Sequence, residues 1–557
     1  MTTLDRAKAW FEQDPDEVTR AELAALIPAA EAGDAAAMDA LRDRFDTRLT
    51  FGTAGLRGEL GAGSNRMNRV LVSQAAAGFA RWLLDRDENA SVVIGYDGRV
   101  NSDVFARDSA ELMAGAGVRV VLLPRPLPTP VLAFAVRHLG MSAGIMVTAS
   151  HNPPRDNGYK VYLGGRDGGS QIVAPADEQI HAAILAVADT AVVGELPRAS
   201  SFDVADESIV DAYVEATAAL VPDDGTAREA VPFVYTALHG VGWEVSKRVF
   251  AAAGLGEPTV VAEQVEPDGA FPTVAFPNPE EPGAMDLAFE TANRAGAALI
   301  IAHDPDADRL AVAVPDAGEP SGWRRLSGNE VGGLLGWRAA ERLHRSETHA
   351  KLAASLVSSP ALSAVAAAYG LSYSDTLTGF KWISRVGGLA YGFEEALGYL
   401  VNPGTVRDKD GISASVDFLA LVGELTAAGR TLDDHQRDFD ERFGAFASAQ
   451  VSLRVTDLSR IGAIMAALRD APPAEIGGVR VSQVDDFIGG FGVFPPGDIL
   501  RFWMLDGSRV IVRPSGTEPK VKVYIDASSD EGSVDERRAV AAARVAALES
   551  GMRALIV

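Results

Sequence analysis

Residues Ala297 to Val314 read AALIIAHDPDADRLAVAV. An apolar run ends in three aspartates at alternate positions, Asp304, Asp306 and Asp308, and a second apolar run starts after Arg309. This predicts a buried strand, an acidic loop and another strand. Strands that read as continuous apolar runs are typical of parallel sheets covered by helices on both faces. Open sheets of that kind bind ligands beyond the carboxyl ends of their strands, where this loop lies.

The same alternation extends in both directions. Upstream, VPFVYTALHGVG from Val231 reads as strand then loop, with a helix from Trp243. Farther back come a helix over Val70–Leu84, a strand in SVVIGYDGR, a strand in VRVVLLP and a Pro-rich loop through Pro130. A further helix then leads to GIMVTASHNPPRDNGYK, Gly144 to Lys160. Residues Glu17 to Phe45 have helical spacing for one or two helices, and Phe51 to Asn68 is a Gly-rich, loop-like stretch carrying Arg57. Downstream, a third alternating region runs from Asn329 to about Ala428. The last region differs. ILRFWMLDGSRVIVRP reads as two strands joined at Asp506-Gly507, a strong hairpin signal. KVKVYIDA is a third strand, and a long Ala/Arg helix closes the chain. Strand–helix alternation implies a parallel sheet, so three α/β units and one α+β unit are expected. VVIGYDGR and LIIAHDPDADR both run from an apolar strand into an Asp-containing loop, a weak internal repeat.

Composition narrows the function. At 557 residues several domains are expected. With 47% hydrophobic and 23% charged residues, the chain has the makeup of a soluble globular protein. It has no cysteine, which removes disulfides, thiolate metal sites and cysteine nucleophiles, and fits a cytoplasmic protein. The start, MTTLDRAKAWFEQD, has neither the basic nor the apolar region of a secretory signal, and no apolar run is long enough to span a bilayer. A formal charge of −25 opposes nucleic-acid and anionic-membrane binding. It also opposes anionic substrates, unless Lys and Arg gather locally.

The motifs are where they gather. Three crowded carboxylates repel one another, and oxygen-only ligands suit Mg²⁺. An EF-hand is excluded, because its sixth position is Arg309 instead of Gly and its twelfth is Pro315 instead of Glu. A solvated acidic turn is the plain alternative. Arg309 beside a metal suits a phosphoryl group, though a salt bridge to the aspartates explains it equally. Ser150 at a loop tip can be a nucleophile, a cap or a turn residue. Its neighbours favour chemistry: His151 can relay a proton, Lys160 supplies a cation, and Pro153-Pro154 restricts the backbone. RPSGTEPK, Arg513 to Lys520, offers phosphate-cradling groups without a Walker spacing, and a polar hairpin turn is its alternative. GFEEALGY pairs Glu394 and Glu395 between glycines, where carboxylates can accept from sugar hydroxyls.

Taken together, TASHNP, DPDADR, GFEEALGY and RPSGTEPK occur in the order seen in the α-D-phosphohexomutases, the phosphoglucomutase/phosphomannomutase superfamily, and the chain resembles the branch of larger phosphoglucomutases and phosphopentomutases. FGTAGLRG, VVIGYDGR, LPTP, TALHGVG, PDGAFPTVAFPNPEE and DKDGISA extend the resemblance over nearly the whole length. It implies four domains around a central cleft: three α/β domains with mixed, mostly parallel sheets and a C-terminal α+β domain. We place these at 1–205, 206–325, 326–440 and 441–557.

The resemblance further implies a phosphoserine at Ser150, and Mg²⁺ held by Asp304, Asp306, Asp308 and the group on Ser150. Lys160 and His151 match positions of general acid/base residues, with Lys160 the stronger candidate, while Arg57 and Arg309 would stabilise transition-state charge. Substrate binding falls to Thr378, Gly379, Lys381, Glu394, Lys409, Arg513, Ser515, Gly516, Thr517 and Lys520. The implied reaction moves a phosphoryl group between positions 1 and 6 of a hexose, glucose first, through a sugar bisphosphate that also serves as activator. Sugar phosphates are then the partners, and the protein is a monomer or homodimer. Ala396 stands where the family's sugar loop often has serine, which removes one hydroxyl contact and keeps a pentose open as substrate; mannose is open too. TGFK, Thr378 to Lys381, resembles the TGWK of glucose-specific members and pulls the other way. A sugar-bisphosphate synthase, a phosphatase and a non-catalytic sensor are weaker alternatives.

Overall fold

The computed structural model describes residues 1–222, 225–455, 457, 459–515 and 520–556. The chain divides into two compact units, residues 1–226 with 230–326 and 398–423, and residues 227–229 with 327–397 and 424–557.

The first unit opens with three helices, α1 (Thr3–Gln13), α2 (Glu17–Glu31) and α3 (Ala35–Phe45). The stretch read as one or two helices is therefore two. Gly33 at φ 91 ends α2, and the Asp34 carboxylate caps α3 through the amides of Ala36 and Ala37. Trp10, Leu23, Ile27, Leu41 and Phe45 form their shared core.

A seven-stranded sheet follows. Its elements are β1 (Leu56–Glu59), α4 (Arg69–Leu84), β2 (Ser91–Tyr96), α5 (Ser102–Gly115), β3 (Arg119–Leu122), α6 (Thr129–His138), β4 (Ala143–Val147), β5 (Asp156–Leu163), β6 (Ser170–Gln171), α7 (Ala176–Thr190) and β7 (Asp203–Val204). The strand order is β1-β5-β4-β2-β3-β7, with β6 on β5. The run from β4 through β2 and β3 to β7 is parallel, and β5 joins β4 antiparallel. Arg57 belongs to β1, paired opposite Gly158 of β5. The Gly-rich stretch is thus not the loop expected at that position. It adds a strand because Gly158 admits the two backbones on either side: a methyl group there would come within 2.5 Å of the Thr148 carbonyl and 2.9 Å of that of Leu56.

After α8 (Ser208–Ala218) a second sheet repeats the plan with β8 (Phe233–Thr236), α9 (Gly242–Ala252), β9 (Thr259–Val260), α10 (Asp286–Ala295), β10 (Leu299–His303), β11 (Leu310–Pro315) and β12 (Trp323–Arg325). Its order is β12-β11-β10-β8-β9, parallel from β10 to β9 and antiparallel at β11 and β12. By this topology β10 corresponds to β4, not to β2. The repeat read between VVIGYDGR and LIIAHDPDADR is therefore misaligned: the Asp304 loop matches the Ser150 loop, each joining a parallel strand to its antiparallel neighbour.

The second unit contains α11 (Gly328–Arg345), β13 (Lys351–Ser355), α12 (Ala361–Ala368), β14 (Ser372–Thr376), α13 (Phe380–Ile383) and β15 (Leu389–Glu394), with β13 parallel to both β14 and β15. The chain returns to the first unit for β16 (Gly398–Leu400) and the start of α14 (Gly411–Ala427). Then come α15 (Leu432–Phe443), β17 (Ala445–Arg454), α16 (Ser459–Asp470), β18 (Glu475–Ile476), β19 (Val479–Asp486), β20 (Leu500–Met504), β21 (Arg509–Pro514), β22 (Lys520–Ser529) and α17 (Val534–Ile556). The last six strands form one antiparallel sheet, and β20 turns into β21 through Gly507 at φ 84. Among the described residues no single helix is long and apolar enough to cross a membrane.

Asp410 fixes the start of α14. Its buried carboxylate accepts the amides of Ile412 and Ser413 at 3.1 and 3.0 Å and the Tyr213 hydroxyl at 2.9 Å. Burial pushes its pKa up to about 6, against the hydrogen bonds from Ser413, Tyr213 and Ile412. The folded protein then holds a proton that the unfolded chain has already released. Stability from this group is complete below about pH 4 and falls as pH rises to about 6. Asp410→Asn keeps the acceptor without the charge. It should narrow the difference in thermal midpoint between about pH 4 and about pH 6.5 relative to the parent protein, as read by scanning calorimetry.

Candidate active site

Ser150 lies in the 148–155 turn between β4 and β5, with φ at 51. Left-handed backbone is costly for a residue with a Cβ, so the turn must be held from outside. The Thr148 hydroxyl takes the Ser150 amide at 2.9 Å. The Ser150 hydroxyl donates to Asp304 Oδ2 at 2.9 Å, joining residues 154 positions apart, and His151 Nδ1 is 3.2 Å from Ser150 Oγ.

The acidic loop is completely buried. Asp304, Asp306 and Asp308 each have no exposed surface, and one ligand oxygen from each lies within 4.8 Å of the others. Three bare carboxylates could not be buried together, because desolvation and mutual repulsion both oppose it. Cations offset them. Lys160 Nζ sits 2.7 Å from Asp306 Oδ2 and 3.0 Å from Asp308 Oδ2, Lys409 Nζ is 3.0 Å from Asp308 Oδ2, and Arg309 Nε is 3.7 Å from Asp308 Oδ1. Burial holds Asp304 and Asp306 above the usual carboxylate range, each helped by the neighbouring Asp308 charge. Burial opposes ionisation of Asp308 as well, yet Lys160, Lys409 and Arg309 together hold it well below that range. Burial disfavours the Lys160 charge, but Asp306 and Asp308 outweigh it and raise its pKa. His151 is pushed well below its usual range by burial and by Arg309 and Arg57. His151 thus lies beside Ser150 Oγ, while Lys160 is engaged by the carboxylates of Asp306 and Asp308.

The remaining sequence candidates form two sets. Arg57 Nη1 donates to Asn152 Oδ1 at 3.0 Å, on the Ser150 turn. Lys409, read as a substrate anchor, is buried between Asp308 and Asp408, so its ammonium already serves the acidic loop. In the second unit, Arg513 Nη1 donates to Thr378 Oγ1 at 2.5 Å, joining the TGFK and RPSG stretches. Gly379 at φ 104 leads into α13, which carries Lys381. The Ser515 amide closes on the Lys520 carbonyl at 2.8 Å, while Gly516 and Thr517 lie outside the described residues. Glu394 ends β15. Its neighbour Glu395 accepts from Ser355 and Ser358 at 3.1 and 2.9 Å, which fixes that carboxylate within the domain.

Several contributors were missed in the sequence. Thr129, in LPTP at the start of α6, donates its hydroxyl to Asp306 Oδ2 at 2.6 Å and its amide to the Asp306 carbonyl at 3.0 Å. Gly240, in TALHGVG, lets its loop press on the acidic one: the Val241 amide meets the Pro305 carbonyl at 2.9 Å, and a methyl group on Gly240 would come within 2.3 Å of Pro305. A Thr before a helical Pro and a Gly between two bulky residues were the available signals. Neither points to a partner far along the chain.

Four successive family models match this chain: phosphoglucomutase/phosphomannomutase alpha/beta/alpha domain I over residues 48–190, domain II over 211–318, domain III over 327–442, and the C-terminal domain over 451–543. The chain belongs to the phosphoglucomutase/phosphomannomutase family. It therefore has the family's four-domain architecture, and it is an enzyme of the phosphomutase class. A probable phosphomannomutase of Haemophilus influenzae is 56% identical over 83% of this chain and 93% of its own length. The phosphopentomutase of Homo sapiens is 34% identical over 96% of this chain and 92% of its own length. Among solved structures, a putative phosphomannomutase from Thermus thermophilus superposes with a TM-score of 0.69 at 25% identity, over 92% of this chain and 99% of that one. Helices α1 to α3 precede the region matched by the phosphoglucomutase/phosphomannomutase models.

The acidic loop fits a divalent cation. Among the described residues nothing donates a hydrogen bond to the buried Asp306 Oδ1 and Asp308 Oδ1, and each ligand atom of the set is a carboxylate oxygen. Thr129 orients one of those carboxylates from behind. Thr129→Val should weaken Mg²⁺ binding about tenfold in calorimetric titration of the folded protein, the usual scale for losing a partner of a metal ligand.

Proposed function

We propose that this enzyme interconverts sugar 1-phosphates and sugar phosphates esterified at the distal hydroxyl, with glucose 1- and 6-phosphates as the first substrate pair. The observation that carries this reading is the 2.9 Å approach of Ser150 Oγ to Asp304 inside a buried, cation-lined carboxylate set. A serine there is placed to carry a phosphoryl group.

In this reading Ser150 gives its phosphoryl group to the free hydroxyl of a bound sugar monophosphate. A bisphosphate forms, reverses its orientation and returns the other phosphoryl group to Ser150. Asp304, Asp306 and Asp308 would hold Mg²⁺, which supplies charge neutralisation at the phosphoryl oxygens. The proton lost by the sugar hydroxyl and the one regained by Ser150 Oγ must be held nearby, a role assigned to Lys160 and His151, whose Nδ1 is 3.2 Å from Ser150 Oγ. Arg57, Arg309 and Lys160 stabilise the charge that spreads over the transferring group. Thr378, Lys381, Arg513, Ser515 and Lys520 are assigned to the phosphate that is not reacting, with Gly516 and Thr517 in the same stretch, and Glu394 to sugar hydroxyls. Lys409 contributes by holding Asp308 ionised. The proposed domain limits remain 1–205, 206–325, 326–440 and 441–557.

A second reading concerns the sugar. Ala396 follows Glu395 without the hydroxyl that would contact a hexose, and relatives named phosphopentomutase match this chain over most of its length. Ribose 1-phosphate is therefore the main competitor, and mannose 1-phosphate the next.

Rates on glucose, mannose and ribose 1-phosphates, each with catalytic sugar bisphosphate and Mg²⁺, should rank glucose first; a higher kcat/KM on ribose selects the second reading, and no turnover on any of them rejects the mutase. Ser150→Ala should lose at least about a thousandfold in turnover yet keep sugar-phosphate binding. Intact-mass measurement should find a phosphorylated fraction in the parent protein that this variant lacks. Near-normal turnover of the variant would reject Ser150 as the carrier.

A further inference from the structure

The stretch Gly95-Tyr96-Asp97-Gly98-Arg99 has no part in the roles assigned so far, yet Arg99 lies directly behind the Ser150 turn. It is 4% exposed. Its Nη2 donates to the carbonyls of Ser150 and Asn152, both at 2.6 Å, and its Nη1 to those of Pro153 and Asp156 at 2.9 and 3.1 Å. Three carbonyls of one short turn, and that of the first residue of β5, therefore converge on one guanidinium. Four carbonyl dipoles pointing at a common centre repel one another unless a cation fills it, and a planar fork with several fixed donors can serve all four.

Arg99 is itself held on each side. Asp97 Oδ2 lies 3.6 Å from its Nε, while Asp97 Oδ1 takes the Arg99 amide at 3.0 Å and the Ser102 hydroxyl at 2.6 Å. The Phe271 ring stands over the guanidinium at 4.9 Å. Phe271 belongs to PDGAFPT, another stretch the reaction does not use, and its φ of 49 shows that the segment is pressed into place. Gly98 and Gly269 make that approach possible: a methyl group on Gly98 would come 2.9 Å from Pro267 Cβ, and one on Gly269 2.8 Å from the Val100 nitrogen.

We propose that Arg99 is a positioning residue for phosphoryl transfer. By gripping the carbonyls of Ser150, Asn152, Pro153 and Asp156, it keeps Ser150 in its left-handed conformation and aims Oγ at Asp304. It touches neither sugar nor phosphoryl group. This inference rests on Ser150 being the carrier.

The test uses the full chain, with glucose 1-phosphate, catalytic glucose 1,6-bisphosphate and Mg²⁺, and Ser150→Ala run in parallel. Arg99→Lys keeps the charge but loses the planar fork. Its kcat should fall about a hundredfold, the scale of a misplacement near one ångström, with KM changed less than about threefold. Phosphorylation of Ser150 by the bisphosphate, followed by intact mass, should slow by the same factor while the circular dichroism spectrum stays that of the parent. Hydrogen exchange at amides 150–152 and 155–157 should accelerate in the variant, while that of β2 should not. In the parent protein these same amides should exchange as slowly as those of β4, a measurement that does not depend on any variant folding. Parent-like kcat in Arg99→Lys, activity loss that only tracks the unfolded fraction, or fast exchange of the turn in the parent protein would each overturn the proposal. Turnover by Ser150→Ala would instead remove the reading beneath it.

Discussion

The mutual repulsion of three buried carboxylates governs this part of the molecule. Asp304, Asp306 and Asp308 have no exposed surface, and an ion of that size pays a desolvation penalty of several kcal/mol on burial even after relaxation. Sequence distance is no obstacle to offsetting it. Lys160 comes from the first sheet, Arg309 from the loop itself, and Lys409 from the segment that returns ahead of α14. Each of these stretches is held in place partly because the acidic loop needs its charge. The same demand accounts for Gly411, where a methyl group would come 2.3 Å from the Arg309 carbonyl. The first unit is thus closed by electrostatics at its centre as well as by its apolar cores.

The two sheets of that unit solve one problem in the same way. A functional turn joins a parallel strand to an antiparallel neighbour, β4 to β5 in one sheet and β10 to β11 in the other. In each case the loop after the adjacent parallel strand braces it. The loop after β2 supplies Arg99 to the Ser150 turn, and the loop after β8 supplies the Val241 amide to Pro305. The turns carry left-handed residues with side chains, Ser150 and Ala307, and so do the bracing segments, at Asn101, Leu238 and His239. Such backbone persists only where surrounding contacts over-determine it. Strain is concentrated where placement of a few oxygens matters.

Much of this was legible in the sequence, for identifiable reasons. Period and composition revealed the strands on either side of the acidic loop, and the hairpin at Asp506-Gly507 was written in its turn residues. The aspartates announced themselves because alternate carboxylates after a buried strand are hard to explain otherwise. Arg57 was misplaced in a loop because glycines usually signal one, whereas here Gly158 allows β1 to add to the sheet. The internal repeat was read one strand out of step, since both candidate loops contain aspartate and only the pairing of strands tells them apart. Arg99, Thr129 and Lys409 act through contacts with residues tens to hundreds of positions away, and no local pattern encodes such a partner.

The charge balance at the centre carries a last implication. Asp304, Asp306, Asp308 and Asp408 face Lys160, Lys409, Arg309 and Arg57, four carboxylates against four cations, while burial and the nearby arginines disfavour a charge on His151. The set is close to neutral before anything is added. A phosphoryl ester on Ser150 would bring nearly two negative charges into a buried site. A divalent cation alone would bring two positive ones. Either addition alone upsets the balance, and the two together restore it. Binding of the cation and phosphorylation of Ser150 should therefore be positively coupled, each favouring the other by the same free energy, as linkage requires.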